Sequence, residues 1–377
     1  MRSSALAPAL VFAAVVAAVL PGTAVAAPVL RPLPTPAPAY TSWAQGVTPS
    51  GLVVGTIRPA GSLDQQAVTW RGGVLRPLDT HPSQAIEFND RDQVVGTRTV
   101  DGVRTGVLWS GGAAVDLLPP GTTTSVALGI ANTGEVLVRG TTPAFTNVVA
   151  TWRAGTWRTL SEDAFTAAIG PLGDVAVWTG QGTRVFPRGQ SRGIEVPNPF
   201  GGTFPPNPLE VNARGDVLFD LWPDSGGTRV GLWRRGALTE LGTLGGDQTI
   251  AAVPGFGRGR YLNDAGEVTG SSETASGAYH AFRWRDGRMT DLTPTSATST
   301  RGFSINQLGD VAGTSAIPGT GRYEGRVWTR TGRTTALAPT AADRKIDWLA
   351  LSPFGTSVVG AESDGAFNRH AISSAGW

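Results

Sequence analysis

The sequence predicts an all-β protein, a β-propeller of about eight four-stranded blades. A Gly-centred turn recurs eight times along the chain, and a tryptophan recurs in fixed register with it. The segment Val29–Leu33 also repeats Val74–Leu78 letter for letter. After the first 27 residues the 377-residue chain has no useful amphipathic helical stretch, and its 51 Gly and 27 Pro are typical of a protein with many turns.

The stretch 261–292, YLNDAGEVTGSSETASGAYHAFRWRDGRMTDL, shows the repeat unit most clearly. Asn263–Gly266 and Asp286-Gly287 are turn sequences, because Asn, Asp and Gly tolerate positive φ. These turns help to separate four expected strands: one that ends at Tyr261-Leu262, then Glu267–Ser271, His280–Trp284 and Arg288–Leu292. A four-stranded meander cannot bury both of its faces alone, so the copies must pack against one another.

The hairpin turn marks eight copies of this unit. It falls at Gly51, Asp92, Gly134, Gly173, Gly215, Gly266, Gly309 and Gly355. These positions are 39 to 51 residues apart, which is the range of propeller blades. The third strand ends in a tryptophan in six copies: Trp70, Trp109, Trp152, Trp233, Trp284 and Trp328. Phe186 takes that place in the fourth copy, and a ring of seven blades is the alternative if this copy is not a blade.

The two ends of the repeat array complement each other. The eighth copy stops after its third strand, and Val29–Leu33 supplies a fourth strand from the other end of the chain. Such pairing closes the ring and removes the exposed sheet edges of an open array. Residues 34–40 are then a Pro-rich linker, and residues 41–377 are the repeats, within a single domain of residues 27–377.

The first 26 residues have the features of a secretory signal. Arg2 precedes the apolar run Leu6–Leu20, and Ala24-Val25-Ala26 is a small-x-small cleavage site. The apolar run is short for a transmembrane helix, and no other candidate follows. We therefore expect an exported, extracellular monomer, which has no disulfides because the chain has no Cys.

Composition argues against several classes of partner. The net charge is +2, with 30 Arg and one Lys, and the arginines are scattered rather than clustered as in a nucleic-acid-binding surface. The chain has no Gly-x-Ser-x-Gly motif, no phosphate-binding Gly loop and no His or Cys spacing for a metal. We expect no cofactor, no metal and no nucleic-acid partner.

One segment resembles a known family. Leu241–Gly246, followed by Leu262–Val268 and the triplet His280-Ala281-Phe282, is similar to the bacterial extracellular HAF-repeat proteins, which are named for that triplet. The similarity is sharp over 241–292 and looser over 46–372. It implies a secreted, propeller-like repeat protein, and it implies no catalytic residue.

The long connections all emerge on one face of the expected ring. Val196–Pro208 and Gly242–Arg260 are the longest links between copies, and the loops between second and third strands lie on the same side. Loops carry function more often than the scaffold beneath them. The candidate binding residues on this long-loop face are Phe200, Phe204, Trp222, Phe256, Arg258, Arg260, Tyr279 and Tyr323.

The leading hypothesis is a non-enzymatic module that binds an extracellular protein or glycan through this face. The first alternative is a glycosidase-like enzyme that uses carboxylates near the central channel, and the second is a structural envelope protein. Carboxylates in or beside the long loops are Asp220, Asp224, Asp247, Glu273 and Glu324, with no pair ranked first. Acidic residues also follow the turn in five copies, at Glu135, Asp174, Asp216, Glu267 and Asp310, where we expect solvated carboxylates rather than cation ligands.

Overall fold

The protein is an eight-bladed β-propeller. The computed structural model describes residues 29–251, 260–293, 298–355, 357–366 and 368–374. They form eight four-stranded antiparallel sheets arranged in a ring, which confirms the predicted fold class. The fourth copy forms a sheet of its own, so the seven-blade alternative is wrong. Within these ranges no helix could cross a membrane, and the expected signal segment 1–26 lies outside them.

The first four blades follow the chain in simple meanders. Blade 1 is β2 Tyr40–Val47, β3 Val53–Pro59, β4 Gln66–Arg71 and β5 Val74–Pro77. Blade 2 is β6 Ser83–Phe88, β7 Val94–Val100, β8 Val103–Ser110 and β9 Ala113–Leu117. Blade 3 is β10 Thr124–Ile130, β11 Val136–Thr141, β12 Asn147–Arg153 and β13 Thr156–Ser161. Blade 4 is β14 Ala164–Ile169, β15 Val175–Thr179, β16 Gly182–Phe186 and β17 Ile194–Val196.

The other four blades complete the ring, with the first strand of each blade innermost. Blade 5 is β18 Asn207–Val211, β19 Val217–Leu221, β20 Arg229–Arg234 and β21 Ala237–Glu240. Blade 6 is β22 Gly245–Ile250, β23 Val268–Thr274, β24 Tyr279–Arg285 and β25 Arg288–Asp291. Blade 7 is β26 Thr300–Ile305, β27 Val311–Ile317, β28 Arg322–Trp328 and β29 Thr334–Leu337. Blade 8 is β30 Lys345–Leu351, β31 Val358–Ser363, β32 Arg369–Ser374 and, from the other end of the chain, β1 Leu30–Pro32.

The ring closes as predicted. Strand β1 pairs antiparallel with β32, with Leu30 opposite Ser374 and Pro32 opposite Ile372. The Leu33 amide extends the ladder by donating to the Ala371 carbonyl at 2.8 Å. Leu30 is 5% exposed, so the closing strand contributes to the core as well as to the hydrogen-bond ladder.

The apolar core is divided among the interfaces between neighbouring blades. One cluster joins Trp348 of blade 8 to Val53 and Trp70 of blade 1. The tryptophans that end the third strands lie in these interfaces, and Phe186 is 4% exposed in the equivalent place of blade 4. Because every blade packs on two others, the repeat forms a closed set of similar contacts.

A glycine in the second strand marks where the innermost strand bulges. A Cβ on Gly96 would come within 1.9 Å of the Gln84 carbonyl oxygen, and a Cβ on Gly270 within 2.3 Å of the Ile250 oxygen. Ladder register shifts at the corresponding places in blades 2 and 6. The backbone of the first strand therefore crosses so close to the second that only glycine fits.

Blade 6 differs from the expectation at this point. Gly242–Arg260 was expected to be a connection on the long-loop face, but Gly245–Ile250 within it is the innermost strand β22. The strand resumes at Leu262, which bridges to Val268. The innermost strand of blade 6 therefore consists of two described parts, Gly245–Ile250 and the bridge at Leu262, and residues 252–259 between them lie outside the described residues.

The face that carries the Gly turns is linked from blade to blade by asparagine side chains. Asn263 Nδ2 donates to Glu267 Oε2 in its own turn at 2.8 Å and to the Asn306 carbonyl of blade 7 at 3.1 Å. Asn212 makes the same pair of bonds to Asp216 and to the Asn263 carbonyl. We call this side of the ring the turn face.

The acidic residues of these turns are therefore structural. Asp216 is 4% exposed and Glu267 is 2% exposed, so the expectation of solvated carboxylates is wrong for both. Each accepts a hydrogen bond from the asparagine four residues earlier, and Arg234 lies 3.3 Å from Asp216. The sequence showed the recurring acid but not its burial, since burial comes from the adjacent blade.

Candidate functional site

Two regions can carry function: an aromatic cluster on the long-loop face and a cavity in the central channel. The cluster begins with the connection between blades 4 and 5. Asn198 orders this proline-rich segment, because its Nδ2 donates to the Gly202 carbonyl at 2.8 Å and to the Phe204 carbonyl at 3.2 Å. A Cβ on Gly202 would come within 2.6 Å of Asp224 Oδ1, so the segment packs closely on the loop after β19.

Four aromatic rings lie in a row across blades 4 and 5. Phe204 meets Trp222 edge to face at 6.1 Å between centroids. Trp222 packs on Trp178 at 5.8 Å, and Trp178 on Phe165 at 5.3 Å, both with tilted rings. Phe204 and Phe165 at the two ends are 56% and 50% exposed. We call these four residues the aromatic row.

Polar groups border the aromatic row. The indole N–H of Trp178 is buried and has no hydrogen-bond partner within the described part of the chain, which is uncommon for a buried tryptophan. Gly180 lies close to both Asp163 and the Phe165 ring, so a carboxylate borders one end of the row. Asp224 is exposed near the other end. Arg139 donates to the Phe165 carbonyl at 2.8 Å, and burial, together with nearby Arg104, lowers its pKa.

The structure brings two of the predicted binding residues together, Phe204 and Trp222. Phe200 packs against the core between blades 4 and 5. Tyr279 lies on blade 6, where its hydroxyl donates to Gln248 Oε1 at 2.9 Å, and Tyr323 lies on blade 7. Phe256 and Arg258 are outside the described residues. Sequence reasoning did not select Phe165 or Trp178 as part of the row. The pairing of Thr166 with Trp178 places both rings at one end of blade 4.

Arg260 is not part of the aromatic row. It lines the central cavity, because it directly precedes Tyr261 and Leu262, where the innermost strand of blade 6 resumes. This cavity has a volume of about 290 Å³ and is bounded by the innermost segments of blades 2 to 6.

Two glutamates line the same cavity, Glu87 from β6 and Glu210 from β18. Glu210 Oε2 accepts from the Tyr261 amide at 2.7 Å and from the Leu262 amide at 3.2 Å. Burial raises the pKa of Glu210 to about 8, aided by Glu87 and opposed by Arg260 and the two amides. Neither glutamate was selected from the sequence, because their blades are distant along the chain and leave no local spacing.

The five carboxylates considered from the sequence are absent from the described lining of this cavity. One of them, Asp220, is connected to the cavity wall, because it forms a hydrogen bond with the lining residue Asn207. Burial raises the pKa of Asp220 to about 7, with that bond acting against it. Within the described ranges no group of three or more His, Asp or Glu side chains is placed to hold a metal ion.

His81 lies in the connection between blades 1 and 2 and has a structural environment. His81 Nδ1 lies 2.9 Å from Asp79 Oδ1, and the same carboxylate accepts from Trp109 Nε1 at 2.9 Å. Burial opposes ionisation of Asp79, but these bonds and the charge of Arg98 outweigh it and lower the pKa to about 2. The Thr80 hydroxyl lies 3.5 Å from His81 Nδ1. It belongs to the adjacent residue and is not a nucleophile that another element presents to the imidazole ring.

Comparisons with known proteins support the architecture. The chain is similar to the β-propeller domain of the Trilobed protease from Pyrococcus furiosus, described as having an open velcro topology, with a TM-score of 0.52, 10% identity and coverage of 89% of this chain and 96% of that one. It is also similar to a puromycin-hydrolyzing peptidase of Mycobacterium tuberculosis, with a TM-score of 0.51, 14% identity and coverage of 89% of this chain and 60% of that one. No protein-family model and no curated protein sequence matches the chain. At these identities the likeness shows the propeller fold alone.

Proposed function

We propose that the protein is a secreted, non-enzymatic binding module that recognises an extracellular glycan through the long-loop face. The observation that carries this proposal is the aromatic row, whose end rings are half exposed. Aromatic rings offer flat apolar surface to the C–H faces of sugars and lose little side-chain entropy on binding. The carboxylates at Asp163 and Asp224 can accept hydrogen bonds from sugar hydroxyls.

The carboxylates that border the aromatic row support a ligand rich in hydroxyl groups over a purely apolar one. Secretion follows from the signal-like segment 1–26, and the resemblance to HAF-repeat proteins is in keeping with an extracellular role.

A glycan array probed with the purified chain tests the proposal. We expect the double variant Trp222→Ala/Phe204→Ser to lose about 30-fold in affinity, since central aromatic contacts often contribute about 2 kcal/mol or more. Phe354→Ser is the matched control, because Phe354 is 65% exposed on the turn face. An array without binding, or equal binding by the double variant, contradicts the proposal, and capture of a secreted protein instead would assign the row to a protein ligand.

A second candidate, a glycosidase-like enzyme, is favoured by one observation. Glu87 and Glu210 line one cavity, and the pKa of Glu210 is raised to about 8, as a general acid requires. Release of nitrophenol from aryl glycosides, lost in Glu210→Gln, would establish this function. If no glycoside in a broad set is hydrolysed, the glycosidase-like function is contradicted.

A further inference from the structure

The central cavity has the size and wall of a small-molecule site. Its volume of about 290 Å³ is at the low end of ligand pockets and suits a small molecule. Ile130, Ile169 and Val211 supply apolar surface, while Glu87, Glu210 and Arg260 bring charge. The described lining therefore combines a hydrophobic wall with two carboxylates and one guanidinium group.

Glu210 is fixed in this wall by backbone atoms. Both the Tyr261 and Leu262 amides donate to the same oxygen, Oε2, across the interface between blades 5 and 6. The carboxyl group cannot swing away to solvent without losing these two bonds. The Glu87 carboxylate is also held in place, because its Oε1 accepts a hydrogen bond from the Phe88 amide at 3.1 Å.

A residue of the same wall also has a side-chain oxygen without a described hydrogen-bond donor. Asn207 Oδ1 is buried and has no hydrogen-bond partner within the described ranges. Asn207 lines the cavity beside Pro208 at the start of β18. Buried side-chain oxygens are nearly always satisfied, so a donor from a ligand or water is expected here.

We propose that the cavity is a binding site for a small organic cation, an alkyl- or aralkylammonium ion, with its ammonium group between Glu87 and Glu210. When both carboxylates are ionised, Arg260 compensates one of the two negative charges, and a monovalent cation compensates the other. The N–H donors of a primary ammonium group suit the oxygens of two carboxylates. The apolar part of the ligand packs on the isoleucine and valine side chains.

A metal ion fits the same wall poorly. Calcium takes six to eight oxygen ligands, and magnesium needs octahedral geometry. The described lining brings two carboxylates together with an arginine that repels a divalent ion, and its other polar side chains include Asn132, Thr166 and Asn207. An ammonium ion needs fewer acceptors and can use the apolar wall.

Binding of the cation is coupled to loss of a proton from Glu210. Its pKa is raised to about 8 mainly by burial, with Arg260 and the two amides acting against this and Glu87 acting with it. The empty site therefore holds the proton at pH 6, and the ammonium ion must displace it. Affinity should rise between pH 6 and pH 8, because a larger fraction of Glu210 is then ionised before binding.

Calorimetry with the purified chain and benzylammonium tests the proposal, with benzyl alcohol and benzoate as uncharged and anionic probes. We expect benzylammonium alone to bind, at least about ten-fold more tightly at pH 8 than at pH 6. In Glu210→Gln the amide oxygen can keep both backbone bonds, so the fold is retained while affinity falls about ten-fold and the pH dependence disappears. Glu87→Gln should weaken binding by a similar factor.

Glu195→Gln is the matched control, because Glu195 is exposed on the rim strand β17 and the substitution changes charge equally. Equal binding of benzyl alcohol, unchanged affinity in both cavity variants, or no binding of benzylammonium would each overturn the proposal. Trp222→Ala/Phe204→Ser should bind benzylammonium like the wild-type chain, so the outcome is separable from that of the glycan experiment.

Discussion

The two faces of this ring are built from the same repeat but satisfy their polar groups in opposite ways. On the turn face, Asn212 and Asn263 use both ends of the side chain within the protein and link three blades. On the long-loop face, Phe204 and Phe165 are half exposed and the Trp178 N–H has no described partner. The difference teaches that the turn face links the blades through its polar side chains, whereas the long-loop face leaves aromatic surface exposed.

The largest expected effect comes from removing one of the turn-face links. Asn263→Ala deletes two donated bonds and the bond that Asn263 Oδ1 accepts from the Glu267 amide at 2.9 Å. It also leaves the buried Glu267 carboxylate short of a donor, so we expect a loss of about 3 kcal/mol in the free energy of unfolding. Urea denaturation measures it.

Asn198→Ala is the counterpart on the long-loop face. Asn198 also donates two hydrogen bonds, but within one exposed connection, so its loss should cost only about 1 kcal/mol. Equal losses for the two asparagines would remove the distinction between the faces.

The second prediction uses pH to compare a buried carboxyl group that has one side-chain hydrogen bond with a carboxyl group that has several. The pKa of Asp220 is raised from 3.8 to about 7 by burial. The folded state therefore binds more protons between pH 4 and pH 7, and stability falls as the pH rises through that window. Asp220→Asn should gain on the order of 2 kcal/mol at pH 8 and nothing at pH 3, as measured by denaturation at each pH.

Asp92 on the turn face should behave in the opposite way. Burial acts against its ionisation, but bonds from Thr48, Ser50 and Arg71 outweigh this and lower its pKa below 3.8. Its contribution is present at neutral pH and is lost as the pH falls below that value, so Asp92→Asn should destabilise at pH 7 and less so at pH 3. The same sign for both substitutions at neutral pH would contradict the comparison.

The smallest expected effect is a gain on the long-loop face. Phe145 has a φ of 61° and is 87% exposed, so its side chain adds backbone strain without being packed. Phe145→Gly should therefore raise the free energy of unfolding by about 0.5 to 1 kcal/mol. A slightly higher melting temperature would be the measured sign of this gain. Asp92 has a similar φ of 60°, but Asp92→Gly should lower stability, because the lost hydrogen bonds outweigh the relief of strain.

Much of the fold was accessible from the sequence because it is repeated. The turn at Gly266 and the tryptophan at Trp284 recur in register, and the copied segment Val29–Leu33 predicted the pairing of β1 with β32. Blade 6 was harder, since β22 reads GGDQTI and has little apolar pattern. The recurrent glycine at Gly270 was the available signal for it, because that glycine requires a bulged strand alongside.

The candidate sites were less accessible, because they depend on contacts between blades. Phe204 and Trp222 could be chosen from the loop lengths, but Phe165 joins them only through the pairing of β14 with β15. Glu87 and Glu210 come from blades 2 and 5, and no spacing along the chain records that they face one cavity. Arg260 was assigned to the wrong region for the same reason.

The pairing of residue 30 with residue 374 also fixes an order of events in folding. Strand β1 is synthesised before the other strands of the ring and its partner β32 after them, so their ladder cannot form until the intervening blades exist. The entropic cost of bringing such distant segments together grows only logarithmically with the length between them, and prior stacking of the blades reduces it further. Until then β32 has an open edge that can pair with another chain. The time between synthesis of β32 and docking of β1 is therefore when this ring is most exposed to aggregation.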